Sequence, residues 1–211
     1  MTAARAEPID VRSLEHKSLV RRARLLAWGG IGWHAVEFGI ALGAGIAAGS
    51  IALIGFGIDS LIESAAGAVV LWRFASRRSH LDSAERRAQQ LIGASFFVLA
   101  AYIAVESVRT LAAADHPGVS WIGIGLAAVT VVTMPLLAAA KRRVGNALHS
   151  SAVVSEGAQN MLCAYLSVAL LAGLGANALL GWWWADPAAA LVIGAFALRE
   201  GLDAWRGGAC C

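Results

Sequence analysis

Charged residues are scarce in this chain of 211 residues. Only 15% are Asp, Glu, Lys or Arg, whereas 58% are hydrophobic and the mean hydropathy is +0.65. A soluble domain has about a quarter of its residues charged, so this composition argues against a water-soluble protein. Several apolar runs reach about 20 residues, which is enough for a helix to cross roughly 30 Å of hydrocarbon. The sequence therefore predicts a polytopic membrane protein.

Cysteine is also rare, with Cys163, Cys210 and Cys211 as its three positions. Three cysteines do not make a disulfide framework, and Cys163 lies within an apolar run. A cleavable secretion signal is not expected either, because the first 24 residues are polar and lead directly into an apolar segment. We expect that segment to act as its own insertion signal.

Six apolar segments predict an all-α membrane protein, a bundle of six transmembrane helices. We divide the chain into an N-terminal cytoplasmic segment (1–24), a transport domain (25–206) and a short cytoplasmic tail (207–211), with no cytoplasmic C-terminal domain expected. The predicted spans are 25–45, 50–73, 89–112, 119–140, 152–175 and 184–205.

Lys and Arg are distributed very unevenly over the predicted connections. If the spans alternate in direction, Arg109 is the only one of 17 basic residues that falls near the other side. The excess of Lys and Arg in cytoplasmic loops predicts that both termini are cytoplasmic and that the protein lies in the cell membrane.

Acidic residues inside the predicted spans outnumber basic ones. His34 and Glu37 are three residues apart, as are Glu106 and Arg109, so each pair can meet on one helix face. The other three acids within the spans are Asp59, Glu63 and Glu156. We expect no basic residue within the spans to pair with them. Buried carboxylates of this kind either stay protonated and bond across helices, or hold a cation that the sequence does not encode.

Residue spacing favours the cation. Asp59 and Glu63 are four apart on the second span, and Gln159 and Cys163 are four apart on the fifth. In antiparallel spans Asp59 is expected level with Cys163 and Glu63 level with Gln159, so that four side chains enclose one tetrahedral ion. The segments also share small residues at an offset of one hundred, which are Ser50, Ala52 and Gly57 against Ser150, Ala152 and Gly157.

Three motifs resemble the cation diffusion facilitator family of metal/proton antiporters, here in a form restricted to the transmembrane domain. They are "SIALIGFGIDSLIE", "SEGAQNMLCAYLS" and the Asp-Pro start of "WWWADPAAALVIGAFALREG". The resemblance implies that Asp59, Glu63, Gln159 and Cys163 form the transport site, and it suggests a homodimer through the spans. The family usually has His and Asp where this chain has Gln159 and Cys163, which leaves the metal open.

Carboxylates and a thiolate suit a borderline or soft divalent ion. Zn²⁺ is favoured, with Cd²⁺, Co²⁺ and Fe²⁺ as alternatives, whereas Mg²⁺ and Ca²⁺ prefer oxygen ligands. Secondary candidate ligands are Glu156, Asn160, His34 and Glu37. Because ligands bind metal in their deprotonated forms and burial favours the protonated ones, metal and protons compete, which predicts export of the ion in exchange for protons.

Two alternatives remain open at this point. One is a membrane scaffold or assembly subunit whose acids are protonated structural groups, and the other is a proton-coupled exporter of small organic cations. Neither enzymatic activity nor a nucleic-acid partner is expected; the partners are metal ions, protons, the lipid bilayer and a second copy of the chain.

Overall fold

The computed structural model describes residues 11–75 and 82–206, and this part of the chain is built from six α-helices. Four of them, α1, α3, α4 and α5, are long and apolar enough to cross a membrane. The predicted six-helix membrane bundle is therefore confirmed. Residues 207–211, with Cys210 and Cys211, lie outside the described residues, as do residues 1–10 of the predicted N-terminal segment. The helices are α1 (Val11–Ala48), α2 (Ile51–Ala75), α3 (Asp82–Ala113), α4 (Trp121–Ala147), α5 (Ser151–Leu180) and α6 (Ala185–Trp205).

Five of the six helices are longer than the predicted spans, and α6 is one residue shorter. α1 begins fourteen residues before the predicted start at 25, and α4 continues seven residues past the predicted end at 140. Residues 46–48, 141–147 and 176–180, which lie between predicted spans, are helical, so those predicted boundaries are wrong. Gly45 and Gly145 lie inside α1 and α4 and do not end these helices. The absence of a side chain at each position allows the neighbouring helix to pack closely.

Two helical hairpins, α1–α2 and α4–α5, repeat one arrangement at an offset of one hundred residues. A Cβ on Gly45 would lie 2.9 Å from the Ile54 nitrogen, and a Cβ on Gly145 would lie 2.9 Å from the Val154 nitrogen. Both turns use a left-handed backbone, at Gly49 (φ 66°) and His149 (φ 51°). The sequence similarity at this offset therefore corresponds to a structural repeat.

The third antiparallel pair is α3–α6, which packs through Gly93 and Gly201. Near the start of α6, Asp186 accepts hydrogen bonds from the Ser50 hydroxyl (2.5 Å) and the Ile51 amide (3.0 Å). The carboxylate thereby satisfies amides at the N-terminus of α2, where the helix dipole favours a negative charge. Asp186 therefore fixes the beginning of α2. Asp59 and Glu63 lie fewer than four helical turns further along the same helix.

Apolar side chains cover the outside of the bundle and polar side chains lie within it. Leu91, Val98 and Leu136 are each about two-thirds exposed or more. Buried polar and charged groups include His34, Glu37, Asp59, Thr130, Lys141, Glu156, Asn160 and Asp186. This distribution suits lipid on the outside and places the chemistry in the interior.

We name the two ends of the bundle after the residues that are concentrated there. The basic end is where α1, α3 and α5 begin, and the tryptophan end is where α2, α4 and α6 begin and where Trp121, Trp182 and Trp184 are exposed.

The close approach at Gly145 gives the first testable prediction. In Gly145→Ala the new methyl group meets backbone atoms, and overpacking of this kind costs about 1–3 kcal/mol. We expect a lower unfolding temperature in detergent, followed by circular dichroism. Gly43→Ala is the matched control, since a Cβ there meets nothing within 4 Å. Equal stability of the two variants would contradict the close packing of the hairpin.

Candidate metal site

Three helices bring potential metal ligands together in the interior. His34 of α1, Glu63 of α2 and Cys163 of α5 each offer one ligand atom, and these atoms lie within 4.8 Å of one another. His34 Nδ1 is 3.3 Å from Glu63 Oε2, and the Cys163 sulfur lies within 4.8 Å of the Glu63 carboxylate. An imidazole, a carboxylate and a thiol therefore face a common point.

The imidazole of His34 is held on both of its nitrogens. Nδ1 lies 2.9 Å from Glu37 Oε2, which confirms the pair predicted from the three-residue spacing, and the other Glu37 oxygen accepts from the Thr130 hydroxyl. Nε2 lies 3.2 Å from the Asn160 amide nitrogen. These contacts with α4 and α5 fix the ring where it meets Glu63.

The other predicted pair, Glu106 and Arg109, is also confirmed. Arg109 donates to Glu106 at 2.8 Å, with its side chain 72% exposed. This pair lies on the surface of α3, well separated from the ligand cluster.

Asp59 and Gln159 lie beside the cluster rather than within it. They line a small cavity together with Glu63 and with Glu200 of α6. The structure brings Cys163 within 4.8 Å of Glu63. The spacing did not predict this contact, because counting residues from the helix ends does not fix the tilt at which two helices cross.

Glu156 forms a buried ion pair that the sequence analysis did not anticipate. Its Oε2 lies 3.1 Å from Lys141 Nζ, and both side chains are 6% exposed. The prediction that Glu156 lacks a basic partner is therefore wrong. Lys141 was assigned to a connector, but α4 continues past it and carries it into the interior. The pair lines a second cavity, with His34, Glu63 and Gln159 among its other walls.

Several buried oxygen atoms near the cluster have no hydrogen-bond partner. They are Asp59 Oδ2, Glu63 Oε2, Glu156 Oε1 and Asn160 Oδ1. Among the described residues, no Lys or Arg lies within 4.0 Å of Asp59 or Glu63. An unpartnered buried carboxylate oxygen is costly, and a bound cation would satisfy it. Nitrogen, oxygen and sulfur ligands in one cluster suit a tetrahedral transition metal such as Zn²⁺.

His34 was only a secondary candidate in the sequence, where its spacing from Glu37 accounted for it locally. A signal was present nonetheless: an imidazole in an apolar span needs partners for two nitrogens, and Glu37 satisfies only one.

The described helices thus enclose buried acids together with three side chains that could hold a metal ion. The family described as "Cation efflux transmembrane domain" matches residues 34–207. The chain belongs to this family, whose members are transporters. The matched region contains all six helices apart from the first part of α1, and it contains every residue of the cluster.

The chain is also similar in sequence to two curated proteins. The chain is 28% identical over 194 residues to the "Uncharacterized transporter sll1263" of Synechocystis sp., covering 88% of this chain and 63% of the relative. It is 22% identical over 157 residues to "Transmembrane protein 163" of Xenopus laevis, covering 72% of this chain and 55% of the relative. The chain thus spans less than two-thirds of the length of either relative.

The ion pair of Lys141 and Glu156 gives the second prediction. Replacement of Lys141 by Met leaves the Glu156 charge uncompensated in the interior, which costs about 3–5 kcal/mol. We expect a marked loss of thermal stability in detergent, largely recovered in the double variant Lys141→Met/Glu156→Leu.

Lys17→Met, which changes an exposed lysine of α1, is the control and should unfold like the parent. A single variant at Lys141 that is as stable as the parent would show that the pair is not a buried charge pair in the folded protein.

Proposed function

We propose that the protein exports a divalent transition-metal cation in exchange for protons. Zn²⁺ is the favoured ion, with Cd²⁺, Co²⁺ and Fe²⁺ as alternatives. The observation that carries the proposal is the cluster of His34, Glu63 and Cys163, with an unpartnered Glu63 oxygen at its centre. Membership of the cation efflux family supports cation transport in general; the metal and the exchange for protons are the proposed part.

The transport route uses the pairs on α2 and α5. Asp59 and Glu63 lie one turn apart and share a cavity with Gln159, while the Cys163 sulfur lies within 4.8 Å of Glu63. An ion at Glu63 and Cys163 therefore has a second carboxylate within one helical turn, about 6 Å along α2. Gln159 contributes a neutral amide, which is a weak ligand and serves the ion or its water.

The exchange for protons follows from the chemistry of these side chains. Glu63, Asp59 and Cys163 bind metal only when deprotonated, and the apolar interior stabilises their neutral forms. Protonation therefore releases the metal, and metal binding releases protons. A proton gradient across the membrane then drives the ion outward when the site opens alternately to the two sides.

We place the protein in the cell membrane with the basic end of the bundle in the cytoplasm, because the Lys and Arg residues concentrate there. The ion then enters from the cytoplasm and leaves at the tryptophan end. We further propose that two copies associate through their transmembrane helices, with α3 as the contact surface. The exposed apolar side chains of α3, Leu91 and Val98 among them, support this choice.

The third prediction is a transport measurement on the purified protein in liposomes that contain a fluorescent zinc indicator. With an imposed pH gradient we expect Zn²⁺ flux in the parent. Replacing Asp59 by Asn or Glu63 by Gln should reduce the flux by about tenfold or more, since the loss of one charged ligand exceeds about 1.4 kcal/mol.

Glu106→Gln, which changes a carboxylate on the surface of α3, is the matched control and should transport like the parent. Zn²⁺ flux that ignores the pH gradient would contradict the proton exchange. Full activity of Asp59→Asn and Glu63→Gln would contradict the site. Transport of cationic dyes without metal transport would favour an exporter of organic cations.

A further inference from the structure

We propose that His34 of α1 is a direct ligand of the transported ion, so that three helices rather than two bind the metal. The inference rests on the proposed function and adds to it the nitrogen ligand that the pairs on α2 and α5 lack. Those pairs offer carboxylate oxygens, an amide and a thiol, but no imidazole.

The separation of the ligand atoms fits a shared ion. In a tetrahedral zinc site, bonds of about 2.0 Å to nitrogen or oxygen and about 2.3 Å to sulfur put neighbouring ligand atoms about 3.3–3.5 Å apart. His34 Nδ1 and Glu63 Oε2 are already 3.3 Å apart. Cys163 offers its sulfur within 4.8 Å of a ring nitrogen of His34 and of a carboxylate oxygen of Glu63, so a small movement of its side chain or of α5 completes the triangle.

The contact of His34 with Glu63 is not itself a hydrogen bond. Glu63 Oε2 has no hydrogen-bond partner although His34 Nδ1 is near, because Nδ1 lies closer to Glu37 Oε2, at 2.9 Å. The two atoms are therefore neighbours that face the same space without bonding each other. Glu63 Oε2 thus lacks a hydrogen bond while it lies at ion-pair distance from the ring, and a metal ion held between the two atoms would take both as ligands.

The surroundings of the ring are those of a metal ligand. Glu37 is held by the Thr130 hydroxyl and so fixes one side of the imidazole. On the other side, Asn160 is 2% exposed and its Oδ1 has no partner. If the amide turns over, Oδ1 accepts the Nε2 proton of His34. The proton that Nδ1 shares with Glu37 at 2.9 Å is then lost when the metal binds, so that the metal replaces this hydrogen bond at Nδ1.

Charge balance also favours an imidazole as the third ligand. A divalent ion with the Glu63 carboxylate and the Cys163 thiolate is neutral. His34 adds a ligand atom without adding a further negative charge to those that the acids and the thiolate already bring to the apolar interior. Lys141 does not take this role, because it is paired with Glu156.

The fourth prediction uses Co²⁺ as a spectroscopic substitute for Zn²⁺, titrated into the full-length protein in detergent. In the parent we expect visible bands typical of tetrahedral Co²⁺ and a near-ultraviolet band from thiolate. In His34→Gln we expect the dissociation constant to rise about tenfold or more and the visible bands to change. The thiolate band should remain, since Cys163 still binds.

His116→Gln is the matched control, because His116 stacks on Trp183 at the tryptophan end and should leave both affinity and spectrum unchanged. Cys163→Ser should abolish the thiolate band and also weaken Co²⁺ binding, because the charged sulfur ligand is lost. If the parent binds no Co²⁺, the proposed function itself fails. If the parent binds but His34→Gln matches it in affinity and spectrum, the inference on His34 is wrong and the proposed function stands.

A measurement on the unaltered protein covers the case in which His34→Gln does not fold. With ¹⁵N-labelled histidine, stoichiometric Zn²⁺ should shift the Nδ1 resonance of one of the five imidazoles and leave the others in place. Zn²⁺ binding without a shift of any histidine resonance would overturn the inference.

Discussion

A charge inside hydrocarbon must be neutralised, and this bundle meets that requirement in two different ways. Glu156 has a permanent partner in Lys141, at 3.1 Å on the neighbouring helix. Asp59 and Glu63 have no Lys or Arg within 4.0 Å in the part of the chain that the structure describes. The same interior therefore holds an ion pair of Lys141 with Glu156 next to carboxylates that no Lys or Arg neutralises, and we propose that a transported cation supplies their countercharge. That difference separates the scaffold of the bundle from its proposed cargo site.

The hairpin repeat explains how the cargo site is placed. Each hairpin closes through a glycine at the same relative position, Gly45 in one and Gly145 in the other, so α2 and α5 start from equivalent turns. Asp186 then fixes the beginning of α2 by accepting hydrogen bonds from Ser50 and Ile51. With their starts held in this way, α2 and α5 bring Glu63 and Cys163 within 4.8 Å of each other. The packing of the hairpins thus determines where the candidate ligands lie.

Local patterns in the sequence predicted the six helices, the pair of His34 with Glu37 and the pair of Glu106 with Arg109, because each depends on spacing within one helix. They failed where separate helices meet. The depth of Lys141 depended on where α4 ends, and the contact of Cys163 with Glu63 depended on how α2 and α5 cross. The approach of His34 to Glu63 depended on the packing of α1 against α2. The spacing of residues along one helix contains no information about these contacts between helices. In the sequence alone, a glycine that allows close packing inside a helix cannot be told from a glycine that ends one.

The most direct test is whether the buried acids and the thiol bind one metal ion together. X-ray absorption at the zinc edge, measured on the purified protein with one equivalent of Zn²⁺, reports the ligands directly. The account predicts a four-coordinate ion with one sulfur at about 2.3 Å and nitrogen or oxygen ligands at about 2.0–2.2 Å. Protein that retains no zinc, or zinc surrounded by oxygen and nitrogen alone, would contradict it.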